Sequence, residues 1–136
     1  MIKVYLCGPI NGKTDSECNA WRDIARQLLA KEFEIVDPMA RDFRGLEGQF
    51  VNEIVTGDLA DIDVCDCLLV CANAPSWGTA MEVRHAYTTY ASKNIIAFSN
   101  AETISPWLRF HCDYIFKTVA EACDGLNRLF LSEDDA

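Results

Sequence analysis

The chain has 136 residues, half of them hydrophobic and 24% charged, the balance of one ordinary globular domain with a real core. Its net charge of −9 argues against a surface built to grip DNA or RNA, but leaves a free nucleotide open, because a few local donors suffice for one phosphate. The N-terminal MIKVYLCGPI is too short an apolar run for a signal peptide and no later run reaches the length of a membrane span. Seven cysteines without an export signal point to reduced thiols, so a cytoplasmic protein with no membrane partner is expected.

Ile2, Val4 and Leu6, with Tyr5 and Cys7, read as a buried strand over 2–7 that Gly8-Pro9 ends. Trp21, Ile24, Ala25, Leu28 and Leu29 then recur at helical spacing within 16–31, with Asp15 or Ser16 as the N-cap. Phe33 to Val36 is a second strand, stopped by Asp37-Pro38, and 39–49 reads as a loop with two glycines and four charges. A helix from about 49 to 62 carries Val51, Ile54, Val55, Leu59 and Ile62. The near-continuous apolar run from Cys67 to Ala72 is a central strand covered on both faces. Asn73 to Trp77 is a loop, and Gly78 starts a helix that runs to about Ser92. Ile95 to Phe98 is a fourth strand, Ile115-Phe116 a short fifth, and 118–131 a closing amphipathic helix. No repeat or linker divides 1–131, a single domain, and 132–136 is an acidic tail.

Strands and helices alternating in this way imply a doubly wound parallel sheet, and five strands at this length suit a flavodoxin-like α/β fold of order 2-1-3-4-5. Ligands in such sheets bind at the carboxyl ends of the strands, beside the switch between the first and third. Gly8-Pro9-Ile10-Asn11-Gly12 and Asn73 to Thr79 fall there.

Within Ser76-Trp77-Gly78-Thr79-Ala80-Met81-Glu82, Glu82 is placed in the first turn or so of a helix, where free N–H groups favour an ionised carboxylate. That suits a nucleophile, but it equally describes an acidic residue that only stabilises its helix. Asp58, toward the end of the preceding helix, is able to reach the same crevice. Two converging carboxylates divide labour between a nucleophile and a proton donor, as the loss of a nucleobase from a sugar requires. Asp61, Asp63 and Asp66 are competitors, with a solvated acidic helix end as the plainer account of Asp61 and Asp63. Tyr5, near a strand's carboxyl end, offers a phenol to orient Glu82.

The set Tyr5-Leu6-Cys7-Gly8-Pro9, Asp58-Leu59, Cys65-Asp66 and Ser76-x-Gly78-Thr79-x-x-Glu82 resembles the nucleoside 2-deoxyribosyltransferase family, which includes the 2′-deoxynucleoside 5′-phosphate N-hydrolases and the CMP-type nucleotide N-hydrolases. The resemblance extends from the first strand to about Trp107. It implies a flavodoxin-like fold, no cofactor, and a homodimer or higher oligomer whose sites are completed by a neighbouring subunit. It makes Glu82 the nucleophile of a covalent glycosyl intermediate, Asp58 the acid/base at the nucleobase, and Tyr5 the group orienting Glu82. Gly8, Pro9, Ile10, Asn11, Asp37, Ser76, Gly78, Thr79 and Ser105 become the substrate-binding set.

Transferases of that family place a carboxylate six residues before the nucleophile, where this chain has Ser76, as the nucleotide hydrolases do. A hydroxyl there donates to a 5′-phosphate that an anion would repel. Ser105 lies near where those hydrolases offer a phosphate-binding serine from the partner. Pro9 and Asn11 depart from their serine and arginine, removing part of the phosphate grip. The resemblance therefore implies cleavage of a nucleoside 5′-monophosphate. The alternatives are base exchange on free deoxynucleosides, a phosphoribohydrolase sharing the GT-x-x-E pattern but not the glycine-rich run before it, and a non-enzymatic nucleotide-binding module.

Cys65, Cys67 and Cys71 fall on one face by alternation and invite a metal reading, but cysteines in so apolar a strand are core residues, and no metal is expected. His85 and His111 have no nucleophile pattern beside them and read as packing residues. Asp37, Met39, Arg41 and Phe43 form a base pocket or lid. Trp77 and Trp107 are aromatics for stacking or subunit contact, the latter favoured for Trp107.

Overall fold

In the computed structural model, which describes residues 1–89 and 93–131, the elements run β1 (Ile2–Cys7), α1 (Asp15–Leu28), β2 (Phe33–Val36), α2 (Val51–Asp63), β3 (Cys67–Cys71), α3 (Trp77–Thr89), β4 (Asn94–Phe98), α4 (Pro106–His111), β5 (Tyr114–Phe116) and α5 (Val119–Phe130). All strands pair parallel in the order β2-β1-β3-β4-β5, the flavodoxin-like arrangement expected. The tail at 132–136, and the end of the helix expected to reach Ser92, lie outside the described residues.

Strand alternation sorts the core into two layers. Val4 and Leu6 join Trp21, Ala25, Leu69, Ala122 and Leu126 beneath α1 and α5. Tyr5 and Cys7 point the other way, joining Ile62, Leu68, Val70, Val83 and Ala86 beneath α2 and α3. This parity decides the site: it sends Tyr5 and Cys7 toward the two helices that carry Asp58 and Glu82.

Three sequence readings change. The N-cap of α1 is Thr14, in a capping box with Glu17, so that neither Asp15 nor Ser16 caps it. The stretch 39–49 is not plain loop: Pro38–Arg41 and Glu47–Gln49 each form a 3-10 turn. Cys67 and Cys71 share one face of β3, but Cys65 precedes the strand and packs in the opposite layer. Among the described residues no group of three or more His, Cys, Asp or Glu is placed to hold a metal ion, and all seven cysteines are free. No described helix is long and apolar enough to cross a membrane.

Candidate active site

The carboxyl ends of β1 and β3 frame a crevice of about 100 Å³, in which Gly8, Ile10 and Asn11 face Ser76, Gly78, Thr79 and Glu82, with Asp58, Arg41 and Arg44 along the side. Gly8 is required by packing. A Cβ there would stand 2.7 Å from Cζ2 of Trp21 and 3.1 Å from Cβ of Cys71, so only glycine lets β1 end against α1. The buried Arg22 guanidinium secures the same turn, donating to the carbonyls of Leu6, Gly8 and Cys18.

Glu82 is held from β1 at both oxygens. The Tyr5 hydroxyl donates to Oε2 at 3.0 Å and the Cys7 thiol to Oε1 at 3.3 Å. Burial pushes the Tyr5 phenol far above its ordinary value, with Glu82 adding to the effect, and burial does the same to the Cys7 thiol. Both stay protonated donors across the physiological range. Cys7 is a site residue that the sequence reading left in the core. Its spacing of two from Tyr5 on a strand is the signal that places both on one face.

The expected first-turn placement of Glu82 is not what the fold gives. Helix α3 begins at Trp77, so Glu82 stands in the second turn, and the helix has no acidic residue in its first. Its carboxyl therefore lies beyond the free N–H groups. Burial first, then the charge and hydrogen bonding of Asp58, push it up to about 8, the donors Tyr5 and Cys7 pulling only partly against this. Asp58 is also raised, by burial, while its bonds to Glu82 and Arg41 pull it down. Both carboxyls are therefore held above their ordinary range, and the raised Glu82 resists ionisation in the free site.

The remaining residues fall into place unevenly. Ser76 immediately precedes α3 and its Oγ accepts from the Thr79 amide at 3.3 Å, leaving the hydroxyl proton to donate. The buried Thr79 hydroxyl has no partner among the described residues. Pro9 is buried beneath the turn and does not line the crevice. Asp37 is also outside it: one oxygen caps the 3-10 turn at the Met39 amide, and the carboxylate is held by Arg22 at 3.2 Å and Arg26 at 2.6 Å. Phe43 does line the crevice and stacks on Phe50. Arg44, which the sequence reading passed over, lines it too, paired with Asp42 and Asp15. His85 is turned away to Asp63, and His111 packs against Tyr87 and Phe110 beside Arg84.

Ser105 caps α4 and sits in a second, apolar cleft of about 1230 Å³ between α3 and the segment 99–111. Ser76 and Thr79 line both spaces, so the cleft opens on the crevice. Trp77 and Trp107 stand 85% and 78% exposed at its rim, with Met81 and Phe110 beside them.

No protein-family profile matches the chain, and no curated protein matches it in sequence. Among solved structures it is similar to a 2-deoxyribosyltransferase from the psychrotolerant bacterium Bacillus psychrosaccharolyticus, at 18% identity and TM-score 0.69 over 90% of both chains. It is also similar to a pilus assembly protein of Burkholderia thailandensis, at 10% identity and TM-score 0.58 over 97% of this chain and 100% of that one. A pilus assembly-related protein of Burkholderia pseudomallei gives 9% and 0.58 over 94% and 88%. At these identities the likenesses establish one thing, the flavodoxin-like fold, and chemistry has to be argued from the site.

Proposed function

We propose that the protein is a member of the nucleoside 2-deoxyribosyltransferase family that cleaves the N-glycosidic bond of a (deoxy)nucleoside 5′-monophosphate through a covalent glycosyl–Glu82 intermediate. The observation that carries this reading is the cluster of Tyr5, Asp58 and Glu82 at one crevice, with Glu82 held at both oxygens from β1 and both carboxyls raised by burial. A binding module has no need of a buried carboxyl pair whose burial opposes ionisation.

In this reading the pair of carboxyls carries one proton, the one the leaving base requires. Its passage from Glu82 to Asp58 ionises the nucleophile and loads the acid together. Glu82 then attacks C1′; the C1′–N bond breaks, its electron pair leaves with the base, and Asp58 protonates that base. Water next attacks C1′, its proton passing to Asp58, and the bond to Glu82 is released. Ser76 donates to the phosphate, and Gly8, Ile10, Asn11, Gly78 and Thr79 shape its approach, while Pro9, off the crevice, supports the turn and Asp37 acts by fixing the 38–41 turn. The reaction uses no cofactor, and a reduced cytoplasm suits the seven free thiols.

A crevice of about 100 Å³ is smaller than the roughly 300 Å³ at which small-molecule sites begin. In this reading a second copy docked in the adjoining apolar cleft completes the site, its Ser105 reaching the phosphate. The fold likeness to a 2-deoxyribosyltransferase favours one second reading, base exchange on free deoxynucleosides.

The test is chromatographic. The protein is incubated with nucleosides and 5′-monophosphates, with and without a second free base. Base release from monophosphates alone is expected, and Glu82→Ala is expected to lower it by at least about a thousandfold. Exchange on unphosphorylated nucleosides would establish the second reading, and release by Glu82→Ala at the wild-type rate would overturn both.

A further inference from the structure

Arg41 lines the crevice beside Asp58 and has no task in that reaction. It ends the 3-10 turn Pro38–Arg41, whose start is fixed by Asp37 and, through Asp37, by the buried Arg22. From there its guanidinium lies over α2, bonded to Asp58 at 3.2 Å and to Asp61 at 2.6 Å. Gly57 adjoins both on the helix, immediately before Asp58 and about one turn before Asp61. A Cβ at Gly57 would stand 3.2 Å from Nε and from one terminal nitrogen of Arg41, so the missing side chain is the seat for the guanidinium. A glycine inside a helix costs stability, and here it provides the space for this contact.

We propose that Arg41 is a positioning residue for the acid/base side of the site: seated on Gly57 and bonded to Asp58 and Asp61, it fixes the Asp58 carboxylate at the crevice and favours its ionised form until a ligand draws the guanidinium away. The part of the proposal that concerns turnover rests on the N-glycosidase reading, while the ionisation of Asp58 in the free protein does not. The groups facing Asp58 are Arg41 from the turn, Asp61 on its own helix, Glu82 from α3, and Tyr5 and Cys7 from β1. Arg41 is the cation among them, and the two β1 donors serve Glu82. A ligand acceptor entering the crevice competes for a guanidinium that is 38% exposed. Once Arg41 leaves Asp58, the charge that favoured the Asp58 carboxylate is gone. Asp58 then takes a proton more readily, as its acid/base role beside a nucleophilic Glu82 requires.

The experiment is a carbon-13 NMR titration of the side-chain carboxyls of the full-length free protein, which needs no substrate. In wild type, Asp58 is expected to titrate at lower pH than Glu82. In Arg41→Gln the Asp58 midpoint moves up and the gap to Glu82 narrows or reverses. Gly57→Ala gives an independent handle: alanine favours the helix, so the melting temperature holds or rises, while the displaced guanidinium shifts the Asp58 midpoint in the same direction as Arg41→Gln. Midpoints unmoved in both variants, with each still folded, would overturn the proposal. Absence of base release from every compound in the panel would sink the enzymatic reading and leave the titration result standing. Base release with unmoved midpoints would do the reverse.

Discussion

Glu82 illustrates a conflict that its surroundings leave partly unresolved. Its carboxyl is buried and faces a second carboxyl, and the two donors from β1 recover only part of that cost. With the folded value near 8 and the ordinary value at 4.5, the folded state holds a proton that the unfolded chain has lost between those limits. Stability from this group therefore falls as pH rises through that window. Glu82→Gln, which keeps the shape and removes the titration, is expected to flatten the pH dependence of unfolding between about pH 5 and 8 and to raise stability at pH 8 by more than about 1 kcal/mol. Denaturant melts at the two pH values check it, and an unchanged slope would show that Glu82 is ionised in the free protein. Tyr5→Phe removes the donor at Oε2 without emptying the core. Because a neutral partner to a carboxyl is lost, base release is expected to fall by about ten- to a hundredfold, with kcat carrying the loss and KM little changed. A loss confined to KM would place Tyr5 on the substrate instead of on Glu82.

At the scale of elements, legibility followed the physics of each signal. The apolar runs of β1 and β3 announced central strands because both faces must be covered, and the order of elements then placed the loops after them together. Helix α4 escaped because six residues carry too little periodicity, although Ser105-Pro106 is a cap followed by a proline at the first helical position. The start of α1 was misread among three cap-forming residues in a row, where Thr14-x-x-Glu17 held the deciding pattern. Asp58 and Glu82 were readable as converging because helices place them, whereas the reach of Arg41 was not, since a long side chain on a turn has no period to betray its partner. Gly8 ties element to site. Gly8→Ala would drive a methyl into Trp21 and Cys71, so a stability loss of about 1–3 kcal/mol is expected. Loss of base release should accompany it, since the same turn lines the crevice. Denaturant titration beside the chromatographic assay checks both. A variant of full stability would show that Trp21 has room to yield.

At the scale of the whole molecule, the apolar cleft is the feature a monomer has least reason to keep. Trp77, Met81, Trp107 and Phe110 are all well exposed around it, a cluster of large apolar side chains of the kind that marks a contact surface. A two-fold contact would cover it on both copies at once. Continuity of the cleft with the crevice through Ser76 and Thr79 means that such a partner would also stand at the substrate. Wild type is therefore expected to sediment at about twice the 15.2 kDa of one chain, and Trp107→Glu with Phe110→Glu to sediment as a folded monomer with base release reduced by at least about tenfold. Mixing separates a shared site from mere association. Glu82→Ala and Ser105→Ala are each expected to be impaired alone. In a mixed dimer, Glu82 of one variant meets Ser105 of the other, giving one intact site. With half of all dimers mixed and one of two sites intact in each, exchange at equal concentrations should restore roughly a quarter of wild-type activity. No recovery, with mixed dimers demonstrated by mass, would place Ser105 outside the site.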